Sequence, residues 1–181
     1  SLLIWMNPFT FQVALIGLVL AIIYPLSKRF LSIPQLFLGL AFSWGVMMVS
    51  AAETNKISSI GLLLFSSCFF WIIAYDTAYA LCDKEDDLDL GINSSAIFFG
   101  KNVVTYFLLL HTVSLLILIF VAYSLKLHSV YYVFTFVALT LACYQGYLIK
   151  DGDSTNCLKA FKNNNWLGLS ILMGSFFGVS L

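Results

Sequence analysis

The chain has 181 residues, 61% of them hydrophobic and only 10% charged, with a formal net charge of zero and a mean hydropathy of +0.95. Soluble domains carry roughly 25% charged and about 45–50% apolar residues, and a compact soluble fold of this length has too little interior to hide so much apolar surface. The balance excludes a basic nucleic-acid-binding domain and points to a lipid bilayer as the solvent.

The hydrocarbon core of a bilayer asks for about 20 mainly apolar residues in helix, and a helix satisfies its own backbone groups where water is missing. Six stretches meet that need: Phe11–Ser27, Leu36–Ala52, Ile60–Cys82, Val103–Leu125, Ser129–Ile149 and Trp166–Leu181. The expected fold is all-α, a polytopic transmembrane bundle of about six helices forming one domain over residues 1–181. Its connections alternate between two sides. Ser27–Gln35, Asp83–Asn102 and Lys150–Asn165 carry seven basic residues, against two in Glu53–Ser59 and the turn near Lys126–His128. The positive-inside rule places the first set in the cytoplasm. Ser1 stands directly before an apolar run with no basic leader or cleavage site, which reads as the interior of a longer protein rather than a signal peptide.

Cys68, Cys82, Cys143 and Cys157 have no metal-binding spacing and read as packing residues. His111 and His128 have no partner ligand at helical spacing. No Walker A loop, nucleophile elbow or zinc-protease motif occurs. An EF-hand beginning at Glu85 fails, because Leu90 and Ala96 stand where glycine and glutamate are required.

One stretch breaks the apolar pattern. "YDTAYALCDKEDDLDLGINS", Tyr75 to Ser94, holds six of the nine acidic residues of the chain between Asp76 and Leu90. If the helix of Ile60–Cys82 continues through it at about 100° per residue, with Asp76 at zero, Tyr79 falls near −60°, Asp83 near −20° and Asp87 near +20°. Asp76, Asp83, Asp87 and Tyr79 then share one stripe, while Glu85 and Asp89 point to the far side, and Gly91 is placed to end the helix. Like charges on one face beside hydrocarbon repel unless something neutralises them. Magnesium suits one or two carboxylates with waters and substrate phosphates, so the stripe suggests a metal–diphosphate site at the membrane surface. A solvated acidic loop and a cation path through a transporter or channel component are the alternatives.

These residues also carry a resemblance. "YDTAYALCDKEDDLDLGINSSAIFFGK" resembles the second aspartate-rich motif of the UbiA-type membrane prenyltransferases, in the form found in the 4-hydroxybenzoate polyprenyltransferases of ubiquinone biosynthesis. "YPLSKRFLSIPQLFLGLAFSW" is similar to that subgroup's loop after the fourth helix, and "CLKAFKNNNWLG" to the lead-in to its last helix. The resemblance implies nine transmembrane helices around a central cavity, six of them here. It also implies two aspartate motifs that bind Mg²⁺ and together grip the diphosphate of a polyprenyl donor. Asp83 and Asp87 match the second motif. The first, N-D-x-x-D-x-x-x-D, does not occur in these residues, and G-I-N-S-S replaces the G-I-K-S-T of many relatives.

The implied reaction is Mg²⁺-dependent transfer of a polyprenyl group from polyprenyl diphosphate to the ring of 4-hydroxybenzoate. Asp83 and Asp87 are the expected metal ligands and Asp76 a further catalytic carboxylate. Arg29, Lys28 and Tyr79 are the expected substrate-binding residues. The expected location is the bacterial cytoplasmic membrane, or the inner mitochondrial membrane in a eukaryote. An inactive remnant that lacks the first motif is the remaining alternative.

Overall fold

The computed structural model describes residues 6–27 and 30–180. Helix α1 is Pro8–Ser27, α2 Gln35–Thr54 and α3 Ser59–Cys82; two short helices follow, α4 at Lys84–Asp89 and α5 at Ser95–Phe99. The chain continues through a single 3₁₀ turn, Gly100–Asn102, into α6 (Val103–Ser124), α7 (Val130–Leu148) and α8 (Ser154–Ser180). The six long helices coincide with the six apolar stretches of the sequence to within about three residues at every end but one.

The exception is α8, which starts twelve residues before the apolar run at Trp166. Asp153 caps it: its carboxylate accepts from the Asn156 amide at 2.9 Å and its carbonyl from the Cys157 amide at 2.9 Å. The first turns are amphipathic, with Cys157 and Ala160 buried and Lys159 exposed, so a search for continuous apolarity passes over them. A second difference concerns the spans. Among the described residues, four helices are long and apolar enough to cross a membrane: α1, α2, α3 and the α5–α6 run, Ser95–Ser124. Helices α7 and α8 are long enough but carry more polar residues, and several of these are paired between helices. Gln145 Nε2 of α7 donates to Asn163 Oδ1 of α8 at 3.1 Å, and the Ser170 hydroxyl of α8 donates to the Phe134 carbonyl of α7 at 2.8 Å. Interhelical bonds of this kind act together with close packing inside bilayer bundles, where lipid removes the hydrophobic drive between helices.

Helix α3 is the hub. It packs on α2, α6 and α8; α6 packs on α7 and α7 on α8, closing a four-helix ring, while α1 lies outside on α2. Small residues allow close approach: Gly39 of α2 faces Phe69 and Ile73 of α3, and Gly17 of α1 leaves room for the Trp44 indole, whose N–H donates to the Val13 carbonyl at 2.8 Å. The alternation of the connections is visible in the contacts. At one end, the hydroxyl of Ser154, the first residue of α8, donates to the Cys82 carbonyl closing α3, and Gln35 at the start of α2 reaches Ser95 at the start of α5. At the other end, Asn7 before α1 reaches the carbonyls of Ala51 and Ala52, and His128 reaches Gly178. The three basic connections therefore meet at the end that carries the acidic stretch.

Candidate active site

Ser58 starts α3, its hydroxyl accepting from the Gly61 amide at 2.9 Å. The helix then runs through the apolar stretch to Cys82. Here the structure corrects the expectation of one continuous helix. Asp83 leaves helical geometry (φ −96°, ψ 7°) and separates α3 from α4. The join is tight, because the Asp87 amide still donates to the Asp83 carbonyl at 2.8 Å, so Asp83 and Asp87 stay one turn apart. Gly91, at φ 65°, ends α4 as its position foretold: the Ile92 amide bonds back to the Asp87 carbonyl and the Gly91 amide to the Leu88 carbonyl.

Burial sorts the six acidic residues into two sets. Asp76, Asp83 and Asp87 are half-buried, whereas Glu85, Asp86 and Asp89 are exposed. This is the division that the stripe foretold for Glu85 and Asp89. The Tyr79 hydroxyl lies near enough to Asp83 to feel its charge, and it also feels that of Asp76. Asp76 acts in the same way on Tyr75 and on Tyr24 of α1. The Tyr75 and Tyr79 rings pack on Phe161 of α8, with centroids 5.8 and 5.1 Å apart. The stripe is thus set among α1, α3 and α8. Lys28 and Arg29, the expected basic partners, lie outside the described residues.

A buried network behind the stripe was not legible as a unit. The Gln35 side-chain oxygen accepts from the Ser95 amide at 2.9 Å, and the Ser95 and Thr77 hydroxyls share a hydrogen bond of 2.8 Å. Thr77 and Ser95 have no exposed surface and Gln35 is also buried. Together they fasten the segment that follows the acidic helix to the start of α2 and to α3. Thr77 and Ser95 stand inside the quoted motif, which was the one signal available; nothing local marks Gln35.

A largely apolar cavity of about 640 Å³ lies among α2, α3, α6, α7 and α8, from Trp71 and Cys68 of α3 toward the end opposite the carboxylates, where Leu125, Tyr131 and Val179 line it. Among the described residues, no three His, Cys, Asp or Glu side chains gather as a metal-holding set. The donor set suits a hard cation that keeps waters and phosphate oxygens in its shell and takes one or two carboxylates, not a cation caged by protein alone.

A multihelical membrane bundle with half-buried carboxylates at one end and an apolar cavity among its helices is the class of protein defined so far. The model of the UbiA prenyltransferase family matches residues 1–171, and the chain belongs to that family. It is 43% identical over 168 residues to the 4-hydroxybenzoate octaprenyltransferase of Marinobacter nauticus, covering 93% of this chain and 57% of that protein. The protein of the same name from Photobacterium profundum is 41% identical over 180 residues, covering 99% of this chain and 63% of its own length. The chain therefore spans about 57–63% of the length of these relatives. The apo structure of a UbiA homologue from Aeropyrum pernix superimposes with a TM-score of 0.78 at 20% identity, over 95% of this chain and 65% of that one, which shows the shared fold.

Proposed function

We propose that this chain carries the second-aspartate-motif part of a membrane enzyme that transfers a polyprenyl group from its diphosphate to the ring of 4-hydroxybenzoate. The sorting of Asp76, Asp83 and Asp87 from the other acidic residues is the observation that carries the reading, supported by the names of the relatives. Asp83 and Asp87 would hold Mg²⁺, which when bound supplies neutralising charge to a diphosphate leaving group. Tyr79 would fix the Asp83 carboxylate through its hydroxyl, and Asp76 would add negative charge beside the developing allylic cation. The electrons that form the new bond come from the ring carbon ortho to the phenol, and the ring proton then leaves. The apolar cavity beside Trp71 would take the isoprenoid chain and keep water from the cation. Arg29 would bind the acceptor carboxylate or the diphosphate, with Lys28 beside it. Bacterial relatives favour the cytoplasmic membrane as its location.

The test uses a full-length chain carrying both aspartate motifs, in lipid, with labelled donor. Asp83→Asn is expected to lower Mg²⁺-dependent prenylation of 4-hydroxybenzoate by roughly two orders of magnitude or more, with the protein still in the membrane. Unchanged turnover would remove Asp83 from the metal site. Solute flux without a new covalent product would favour a transporter instead.

A further inference from the structure

The run Asn163–Asn165 on α8 belongs to the third quoted segment but takes no part in the site above. Its role begins with two amides. Asn164 Oδ1 accepts from the Trp71 indole of α3 at 2.8 Å, and Asn163 Oδ1 accepts from Gln145 Nε2 of α7 at 3.1 Å. Gln145 is fully buried, and its Oε1 has no hydrogen-bond partner among the described residues. The same is true of Nε2 of His111 on α6, a residue only 1% exposed.

The chemistry of the two orphans is the same. His111 Nδ1 lies 3.1 Å from the Phe107 carbonyl oxygen. A carbonyl only accepts, so Nδ1 carries the proton, and the neutral ring offers only a lone pair at Nε2. Gln145 Oε1 is an acceptor as well. The two acceptors stand on neighbouring helices, each within one turn of a contact between α6 and α7. Leu108 of α6 packs against Gly146 of α7, and the His111 ring folds back against Phe107, with centroids 4.5 Å apart. A buried acceptor is stable only when a donor meets it, and one small group with two donors would serve both.

We propose that a water molecule is bound inside the α6–α7–α8 interior, donating one O–H to His111 Nε2 and the other to Gln145 Oε1. Water is the smallest neutral group with two donors, and buried waters make two to four such bonds. A cation in the same place would bring an uncompensated charge into an apolar core. With this water, the Trp71, Asn164, Asn163, Gln145 and His111 side chains form one polar layer joining all four helices of the ring.

Two measurements on the full-length protein in lipid or detergent test it. In thermal unfolding, His111→Leu and Gln145→Leu are each expected to lower Tm by several degrees, because each leaves the water with one lost partner. The double variant is expected to lose clearly less than the sum, since both acceptors and the water depart together. Strictly additive losses would overturn the proposal. On the unmutated protein, ¹⁵N-histidine NMR is expected to show His111 protonated at Nδ1, with an unprotonated, hydrogen-bonded Nε2 in contact with water. A proton on Nε2, or an Nε2 that no water reaches, would overturn it whatever the variants do.

Discussion

The Tyr79 hydroxyl stands near a candidate metal ligand while its ring packs on α8, and a single atom separates the two roles. Tyr79→Phe keeps the ring on Phe161, 5.1 Å away, and removes only the hydroxyl near Asp83. A hydrogen bond to a charged group is worth about 1.5–3 kcal/mol at most, and less where water competes; Tyr79 is 41% exposed. Under the proposed transfer, the Mg²⁺ concentration for half-maximal activity is expected to rise by roughly threefold to tenfold while Tm stays nearly unchanged. A magnesium titration of product formation in the full-length enzyme checks this, and an unaltered half-saturation would leave Tyr79 with packing alone. At this scale, the acidic stripe was legible because helical phase is a local property: 100° per residue sorts Asp76, Asp83 and Asp87 from Glu85 and Asp89 without any tertiary knowledge. Gln35 and Asn164 were not legible, because their partners stand 60 and 93 positions away. No periodicity encodes a pairing at that distance.

Among the elements, α4 depends most on a single residue. Gly91 holds φ 65° with open space around the position where a Cβ would stand, so a substitution there meets a purely conformational cost. Gly91→Ala is expected to destabilise the closing turn of α4 by about 1 kcal/mol. Gly91→Asn should recover part of that, because asparagine tolerates the left-handed region. Limited proteolysis within residues 84–94 reads the difference: faster cutting in the alanine variant than in the asparagine variant, and equal rates if the turn does not anchor α4. The sequence placed this stop correctly from glycine and spacing. It missed the break at Asp83, since nothing in "CDKED" forbids a continuous helix. It also missed the early start of α8, where the buried face alternates with lysines instead of forming a run.

At the scale of the whole bundle, the α7–α8 pair shows how closely the helices are fitted. A Cβ on Gly174 of α8 would stand 2.8 Å from Phe134 Cβ of α7, an atom that cannot move without its backbone. Gly174→Ala should therefore push the two helices apart and cost about 1–3 kcal/mol. Gly45→Ala in α2, where nothing lies within 4 Å, should be neutral or slightly stabilising. Thermal unfolding of the two variants in one detergent checks the contrast, and equal behaviour would mean that the α7–α8 contact is slack. The number and order of the long helices followed from apolar length alone. Their ring closure through α3 did not, because nearly uniform apolarity gives each helix little indication of which face meets which neighbour.

Trp71 has its indole N–H on Asn164 of α8 while its ring borders the apolar cavity. Indole emission shifts with the polarity around the ring and with the strength of its hydrogen bond. The molecule thus holds a built-in optical gauge at the junction of cavity and polar layer, one of only four tryptophans in the chain. Filling the cavity with an apolar chain would alter the colour and yield of its fluorescence, so occupancy can be followed in light without attaching a label.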